Sequence, residues 1–299
     1  MTTTLSLGPL LFNWDAGEKR DFYFRIADEA ALDTVYIGEV VCSKRSSFFD
    51  PYIPEVVERL RRGGKRVVHS TLALIMSERE MNAVRDLVGD PDMLIEANDI
   101  SSAALLAGRP HVVGPFVNVY NEGTLEYLAG RGASLVSLPW ELSSRHLAAL
   151  AKSAVAAGVE LEVQVFGRAP LAISARCYHA RAHGLHKDGC QYVCAEDRDG
   201  MNVETLDGES FLSVNGTQTL SHTLLNLIGE LGELQKMGIS AFRLWPHDVD
   251  MVALTKVFRD VLDGRMTVDD GRGRLGELAD FASFSNGFYH GAEGVALLA

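Results

Sequence analysis

Short β-rich runs alternate with amphipathic helical patterns along most of this 299-residue chain. The eight candidate strands are residues 5–12, 34–40, 66–74, 93–98, 111–120, 134–140, 160–167 and 241–248. Between them, apolar residues recur at i, i+3 and i+4, which is the pattern of a helix with one buried face. A repeated strand–helix order requires a parallel sheet with right-handed crossovers. The alternation therefore predicts an α/β protein.

The number of strands favours a closed sheet. Eight strands in a chain of this length are typical of a (β/α)8 TIM-barrel-like fold. The weaker alternative is a flavodoxin-like open sheet, which would need a glycine-rich phosphate loop after its first strand. Residues 11–20 (LFNWDAGEKR) do not have that pattern. We predict a single barrel-like domain over residues 1–299.

The alternation breaks once, between the seventh and eighth strands. Residues 168–240 hold three of the four cysteines, a polar stretch and a predicted β-pair with Asn215-Gly216 as its turn. A helix is predicted from about Thr223 to Met237. Barrel enzymes carry their chemistry at the C-terminal ends of the strands, so this long insertion is the candidate functional segment. Residues 271–299 are expected to form a tail that packs on the body.

Charge and hydropathy exclude several classes of protein. The net charge of −12 argues against general binding to nucleic acids or anionic membranes, since both require a basic surface. The N-terminal segment lacks the positive region of a secretory signal, and no run approaches the roughly 20 apolar residues of a membrane span. We expect a soluble cytoplasmic protein.

The four cysteines are the strongest functional signal. Cys177, Cys190 and Cys194 have the spacing C-x12-C-x3-C, and Cys42 lies far upstream at the end of a predicted strand. In a reducing compartment, four cysteines are more often metal-binding or catalytic than disulfide-bonded. The downstream trio lies among Arg, His, Lys and Asp residues, a setting too polar for core packing. We predict that the four thiolates hold one metal centre.

The identity of that centre is open between zinc and an iron–sulfur cluster. Zinc ribbons usually present C-x2-C pairs, and this chain has none. A cluster tolerates wider spacing, and nearby basic side chains would offset its negative charge. Those basic residues are Arg45, Arg176, Arg181 and Lys187. The spacing favours iron–sulfur, with zinc as the alternative. The nearby His179, His183 and His186 are expected to form hydrogen bonds or face solvent rather than ligate.

Several segments resemble one known family. Residues 176–201 (RCYHARAHGLHKDGCQYVCAEDRDGM) resemble the signature segment of the collagenase-like peptidase family U-32. Residues 7–14, 35–45, 215–221 and 285–291 narrow the resemblance to the branch of that family that works in anaerobic ubiquinone biosynthesis. The resemblance covers essentially the whole chain.

The resemblance implies a cofactor, partners and a reaction. It implies a [4Fe–4S] cluster on Cys42, Cys177, Cys190 and Cys194, in a heterodimer with the homologous UbiU subunit. The implied reaction is O2-independent hydroxylation of a quinone precursor, with prephenate as oxygen donor and a lipid-carrier accessory protein. Peptidase activity is not expected, because no activated nucleophile is visible. The alternative is a non-catalytic scaffold subunit whose four-cysteine metal site is structural.

Polar residues at predicted strand ends are weaker candidates for substrate contacts. They are Glu39, Glu96, Asn98, Glu141, Gln164 and Arg243. A donor that bears carboxylates, as the resemblance implies, would require an arginine, for which Arg243 or Arg176 is suitable. Each of these side chains could instead cap a helix or pair with a neighbour inside the barrel. No catalytic base is assigned.

Overall fold

The computed structural model describes residues 3–298. Its strands are β1 (Thr4–Leu7), β2 (Thr34–Ile37), β3 (Arg66–Ser70), β4 (Ile95–Ala97), β5 (His111–Val113), β6 (Ala133–Ser137), β7 (Glu160–Ile173), β8 (Met201–Glu204), β9 (Ser210–Asn215), β10 (Gln218–Asn226), β11 (Ala241–Leu244) and β12 (Phe284–Ser285). Its α-helices are α1 (Ala16–Glu29), α2 (Ser46–Phe49), α3 (Ile53–Arg62), α4 (Glu78–Gly89), α5 (Ile100–Leu105), α6 (Glu122–Ala129), α7 (Ser144–Ala157), α8 (Tyr178–Ala182), α9 (Leu231–Lys236), α10 (Met251–Leu262), α11 (Val268–Leu278) and α12 (Gly287–His290).

Eight of these strands close into a parallel barrel. Strands β1 to β7 pair in chain order, and β11 lies between β7 and β1. Phe242 of β11 is in register with Leu5 on one side and with Val163 on the other. The predicted TIM-barrel-like fold is confirmed, and the open-sheet alternative is wrong because both edges of the sheet meet at β11.

Side chains alternate along each barrel strand between the helices and the interior. In β1, Leu5 and Leu7 join the core under the helices, whereas Ser6 points inward and bonds Glu162. An apolar layer fills part of the interior: Tyr36, Val68, Val112, Leu135 and Ala241. Burying a large apolar side chain fully contributes about 1.5–3 kcal/mol, so this two-sided burial stabilises the closed sheet.

Polar caps fix where several surrounding helices begin. Asp15 accepts hydrogen bonds from the backbone at the start of α1, and Ser77 does so at α4. Asn121 and Asp250 play the same part at α6 and α10. Each side chain satisfies an N–H that has no partner within the helix, which contributes about 1 kcal/mol per cap.

Apolar side chains close the C-terminal mouth of the barrel. Trp245, just after β11, is buried and packs with Leu11 and Phe116 from other strand-end loops. Its indole N–H donates to Gln164 Oε1 across 2.5 Å. A Cβ at Gly8 would lie 2.7 Å from the Trp245 ring, so this position requires glycine. The usual position of a barrel active site is therefore filled.

The insertion begins as a continuation of the barrel. Strand β7 runs past the barrel and pairs antiparallel with β10, which continues through β9 to β8. The β9–β10 turn consists of Gly216 and Thr217, and Asn215 pairs with Gln218. The turn is thus one residue later than predicted. Its first residue has a φ of +68°, a conformation that favours glycine.

The helix predicted from about Thr223 to Met237 is wrong in its first half. Residues up to Asn226 belong to β10, and α9 covers only Leu231–Lys236. Leu224 pairs with Arg168 of β7 on one side and with Phe284 of β12 on the other. Sheet pairing on both sides outweighs the local helical pattern. The same β12 pairing joins the C-terminal segment to the insertion.

No helix among residues 3–298 combines the length and apolar composition that crossing a membrane would require.

Candidate metal centre

The four cysteines line one common pocket. Cys42 follows β2 and begins a short 3-10 turn, and Cys177 is the N-cap residue of α8. Cys190 ends one 3-10 turn, and Cys194 lies within the next, at 193–195. Two distant parts of the sequence therefore meet here, as the sequence predicts for these four residues.

The cysteines are largely shielded from solvent. Cys177 and Cys194 are buried, and Cys42 and Cys190 are half-buried. Burial raises the pKa of the Cys42 thiol and of the Cys177 thiol. Since a metal binds thiolates, binding at this pocket would have to displace protons from these two side chains.

Asn215 connects the cysteine loops to the barrel. Its side-chain amide donates to the carbonyl oxygens of Cys194 and Asp197 at 2.9 and 2.8 Å. Its Oδ1 accepts from Arg45 Nη2 at 2.8 Å. Asn215 is fully buried, so these bonds are made away from water. The sequence indicated only a turn at this position.

The two residues after Gly216 complete this connection. Thr217 Oγ1 donates to the carbonyl oxygen of Val41, next to Cys42, across 2.9 Å. Gln218 Nε2 donates to Leu11 O, also at 2.9 Å. The β9–β10 turn therefore fixes the Cys42 loop as well as the Cys194 loop.

Arg45 is a buried cation beside the sulfur atoms. Its side chain is 4% exposed, and it donates to Leu11 O at 3.0 Å. Burial acts to lower the pKa of Arg45, but the charges on Glu39, Cys194 and Cys42 outweigh it and raise the pKa. Arg45 therefore stays charged in this setting.

The other predicted basic neighbours divide into two groups. Lys187 lines the cysteine pocket together with Arg45. Arg176 and Arg181 are exposed and do not line it. Lys44 also lines the pocket, and its Nζ donates to Lys187 O across 2.6 Å. Lys44 is not among the basic residues predicted from sequence, although its position two residues after Cys42 is a usable signal.

N–H groups point at two of the sulfur atoms. Asn13 Nδ2 lies 3.3 Å from Cys194 Sγ, and the Ala180 backbone nitrogen lies 3.4 Å from Cys177 Sγ. Such hydrogen bonds stabilise thiolate charge and tune a metal centre. With four sulfur donors and a buried cation, the residues present fit an anionic sulfur-ligated group.

The distances between possible ligand side chains decide whether a single metal ion could be held. Within residues 3–298, no three His, Cys, Asp or Glu side chains are close enough together to hold one metal ion. The four cysteines nonetheless surround the same pocket. A group larger than one ion needs sulfur atoms around a space rather than around a point. The shared pocket therefore bears more directly on such a group than the distances for a single ion do.

Two of the three nearby histidines contact protein groups. His179 is fully buried, with Nδ1 3.2 Å from Val214 O and Nε2 3.0 Å from Asp197 Oδ2. Burial lowers its pKa. The ring of His183 stacks on that of His179, and its Nδ1 lies 3.1 Å from His179 O. His186 is exposed.

Glu39 supports the cysteine turn. Its Oε1 accepts from the backbone nitrogens of Val41 and Cys42, each at 3.0 Å. The carboxylate also lies 4.0 Å from Arg45 Nη1. The structure thus gives this candidate substrate contact a positioning role for Cys42.

Arg243 and Glu96 lie inside the barrel and not at an accessible site. Arg243 Nη2 is 2.7 Å from Glu96 Oε1 and 2.6 Å from Glu162 Oε2, and all three side chains are buried. The guanidinium packs 3.9 Å from the centre of the Tyr36 ring. Burial acts to lower the pKa of Arg243, but Glu162 and Glu96 raise it overall. A soluble carboxylate cannot reach this arginine in the structure described.

The remaining candidates for substrate contacts make hydrogen bonds with other residues of the chain. Asn98 donates to Glu96 Oε2 at 3.0 Å, and Gln164 accepts from Trp245. Glu141 accepts from the hydroxyl of Tyr120. Arg176 is at the surface, where its backbone N–H donates to Ser174 Oγ. None of these four lines the cysteine pocket.

The fold and pocket define a (β/α)8 barrel with a four-cysteine pocket formed by a β2-end loop and a late insertion. The chain belongs to peptidase family U32, whose family model matches residues 23–297.

Two solved structures are similar at low identity. A chain of the tryptophan synthase complex from Pyrococcus furiosus is 12% identical, with a TM-score of 0.44; the match covers 94% of this chain and 100% of that one. An uncharacterized B. cereus protein is 10% identical, with a TM-score of 0.39; the match covers 83% of this chain and 61% of that protein. Neither similarity bears on function.

Proposed function

We propose that this chain is an iron–sulfur subunit of a heterodimeric, O2-independent hydroxylase in ubiquinone biosynthesis, of the UbiV branch of family U32. The observation that carries the proposal is the meeting of Cys42 with Cys177, Cys190 and Cys194 around one pocket. Membership of family U32 and the resemblance of residues 176–201 to its signature segment support it.

Hydroxylating a ring without O2 requires another oxygen source and a path for the two electrons that the ring gives up. A [4Fe–4S] cluster on the four cysteines would supply single-electron transfer when bound. This chain's part is to hold the thiolates, through Asn13 and the Ala180 N–H, and to offset their charge with Arg45. Lys44 and Lys187 add positive charge at the edge of the pocket.

The partners follow from the same proposal. The homologous UbiU subunit would complete the heterodimer, with prephenate as oxygen donor and a lipid-carrier accessory protein to deliver the quinone precursor. Since Arg243 is enclosed in the barrel, the site for prephenate is not assigned to it. The proposal needs no zinc.

Peptidase activity is not part of the proposal. A nucleophilic cysteine needs a depressed pKa, and burial raises the pKa of both Cys42 and Cys177. The four cysteines share one pocket, as ligands do, and His179 beside them already has Nδ1 in contact with Val214 O and Nε2 3.0 Å from Asp197 Oδ2.

A scaffold subunit with a structural four-cysteine site, holding a cluster or zinc, is the second candidate. The filled barrel mouth favours it, because Trp245 and Phe116 occupy the position where barrel enzymes bind substrates. In that case the metal would stabilise only the insertion and the surface offered to the partner.

A genetic experiment separates these functions. Deleting the gene should abolish ubiquinone synthesis under anaerobiosis only, and Cys190→Ser should reproduce the deletion while still binding the partner subunit. Tyr178→Phe, an exposed change in the same insertion, is the control and should leave quinone levels normal. Normal anaerobic quinone in a strain lacking all four thiols contradicts the enzymatic role. If Cys190→Ser loses partner binding together with quinone synthesis, the result supports the scaffold function.

A further inference from the structure

Positive charge is concentrated beside the cysteine pocket of an otherwise acidic chain. The whole chain has 40 acidic and 28 basic residues, yet residues 174–187 contain Arg176, Arg181 and Lys187 and no carboxylate. Lys44 and the buried Arg45 add two cations to the lining of the pocket, again without a carboxylate. The surface around the cysteines therefore differs in charge from the rest of the molecule.

Part of this charge faces solvent and not the sulfur atoms. Arg176 and Arg181 are exposed and do not line the pocket. Within residues 3–298 neither guanidinium forms an ion pair, whereas Lys44 lies 3.2 Å from Asp188. Lys187 Nζ donates to Ala175 O across 3.2 Å, and Lys44 Nζ donates to Lys187 O, so both lysines lie close to Arg176. These cations are available to an anionic partner.

Two exposed aromatic rings lie at the edge of the same pocket. Tyr192 lines the pocket, and its ring meets that of Phe48 edge-on, with the centroids 4.7 Å apart. Gln191 and Tyr192 have φ angles of +49° and +57°, a left-handed conformation that costs a non-glycine residue on the order of 1–3 kcal/mol. The strained turn after Cys190 thus holds an aromatic ring at the surface. Aromatic and arginine side chains are enriched at the centres of protein interfaces.

The charge pattern selects the kind of partner. A nucleic acid or an anionic membrane needs an extended basic surface, and the net charge of −12 opposes both. A small acidic protein needs only a local patch, since weak redox encounters bury less than about 1,200 Å². An electron carrier must also come close to the metal group. Cys42 and Cys190 are the two half-buried cysteines, so the pocket is nearest to solvent beside them.

We propose that Lys44, Phe48, Arg176, Lys187 and Tyr192 form a docking face for a small acidic one-electron carrier protein. The aromatic pair packs at the centre of the contact, and the three cations face carboxylates of the carrier. At each encounter the oxidised carrier takes up one electron that the metal group loses, and no atom changes hands. The electron transfer rests on the proposed function; the docking face does not.

Binding of flavodoxin, an acidic FMN protein, to the anaerobically purified chain tests the docking face. Biolayer interferometry should show affinity falling about tenfold between roughly 50 and 200 mM salt. Arg176→Glu and Phe48→Ala should each weaken binding about fivefold or more. The matched controls are Arg145→Glu, at an exposed position of α7, and Tyr127→Ala, which removes an exposed ring on α6. Both controls should bind as wild type does, and all variants should keep the wild-type metal content.

Stopped-flow mixing of reduced protein with oxidised flavodoxin measures the electron transfer. Formation of the flavin semiquinone should be slowed by Arg176→Glu and Phe48→Ala and not by the two controls. Patch-dependent binding to a chain that holds no iron retains the docking face and counts against the proposed function. Electron transfer that neither Arg176→Glu nor Phe48→Ala slows does the reverse.

Four other results overturn the docking face. They are absence of flavodoxin binding by wild-type protein, equal weakening by Arg145→Glu, loss of binding when the partner subunit is added, and tighter binding of a short single-stranded RNA through the same residues. The third result would make this face the subunit interface, and the fourth would assign it to a nucleic acid. Binding to iron-loaded protein without any electron transfer would show that an electron carrier is the wrong class of partner.

Discussion

The side-chain amide of Asn215 donates a hydrogen bond to the carbonyl oxygen of Cys194 across 2.9 Å. The same side chain bonds Arg45 and Asp197, so one buried residue orients the Cys194 loop and the cation beside it. The cysteine pocket therefore depends on a residue that is not one of the four cysteines.

Asn215→Ala should lower metal retention without removing any thiol. The substitution deletes two buried hydrogen bonds and a half-buried one and leaves Arg45 short of an acceptor, which costs roughly 2–4 kcal/mol of unfolding free energy. Asn202→Ala, at the exposed strand β8, is the control. Iron per chain after anaerobic desalting measures the effect. Equal iron in the two variants would show that Asn215 does not organise the pocket.

Arg45→Gln should make the metal centre harder to reduce. Removing a buried positive charge beside the sulfur atoms disfavours the more negative reduced state, so the midpoint potential should fall. Arg176→Gln removes an exposed arginine one residue from Cys177 and should leave the potential unchanged. Redox titration monitored by EPR compares the two. A potential that falls equally in both variants would assign the effect to general surface charge.

Arg243→Leu should damage the fold and not a substrate contact. It leaves Glu96 and Glu162 buried without their cation, and breaking a buried pair costs about 3–5 kcal/mol. Urea denaturation should show this loss. Arg79→Leu, at an exposed position of helix α4, should unfold near the wild-type midpoint. A stable Arg243→Leu protein with a selective loss of substrate affinity would restore the direct role suggested by the sequence.

Buried histidines should weaken the fold in acid. Burial lowers the pKa of His111 and of His69 below the ordinary value of 6.5. Burial holds each imidazole neutral in the folded state. Its contribution to the free energy of unfolding is therefore present above pH 6.5 and is lost as the pH falls through 6.5 towards the folded-state pKa. His111→Gln should therefore show a flatter fall in Tm than wild type between about pH 7 and pH 5. Parallel Tm profiles would mean that His111 does not titrate on unfolding.

Sequence periodicity predicts the barrel well but its strand ends poorly. The first strand was expected over residues 5–12 and ends at Leu7, because Leu10, Leu11 and Phe12 are buried in the loop that covers the mouth. The seventh was expected to end at 167 and continues to Ile173, because it pairs with β10 outside the barrel. The spacing of apolar residues indicates which positions are buried. It does not indicate which neighbouring element covers them.

The meeting of the four cysteines could be predicted from sequence, and the residues that organise their loops could not. Cysteine spacing in a polar loop is an unusual pattern. Glu162 and Asn215, in contrast, are ordinary residues in a strand and a turn. Glu162 matters because it pairs with Arg243, 81 positions away. Asn215 matters because it accepts a hydrogen bond from Arg45, 170 positions away. Only the closed barrel and the folded insertion bring these partners together.

Metal and sulfide analysis of protein purified without air tests the central claim most directly, with Cys42→Ser compared against Ser47→Ala on the adjacent helix α2. Wild type and Ser47→Ala should be brown, absorb broadly near ~400 nm and hold about four irons and four sulfides per chain. Cys42→Ser should lose most of both, because it removes the ligand that comes from the barrel. A colourless wild-type protein with one zinc, or wild-type iron and sulfide in Cys42→Ser, would contradict the account.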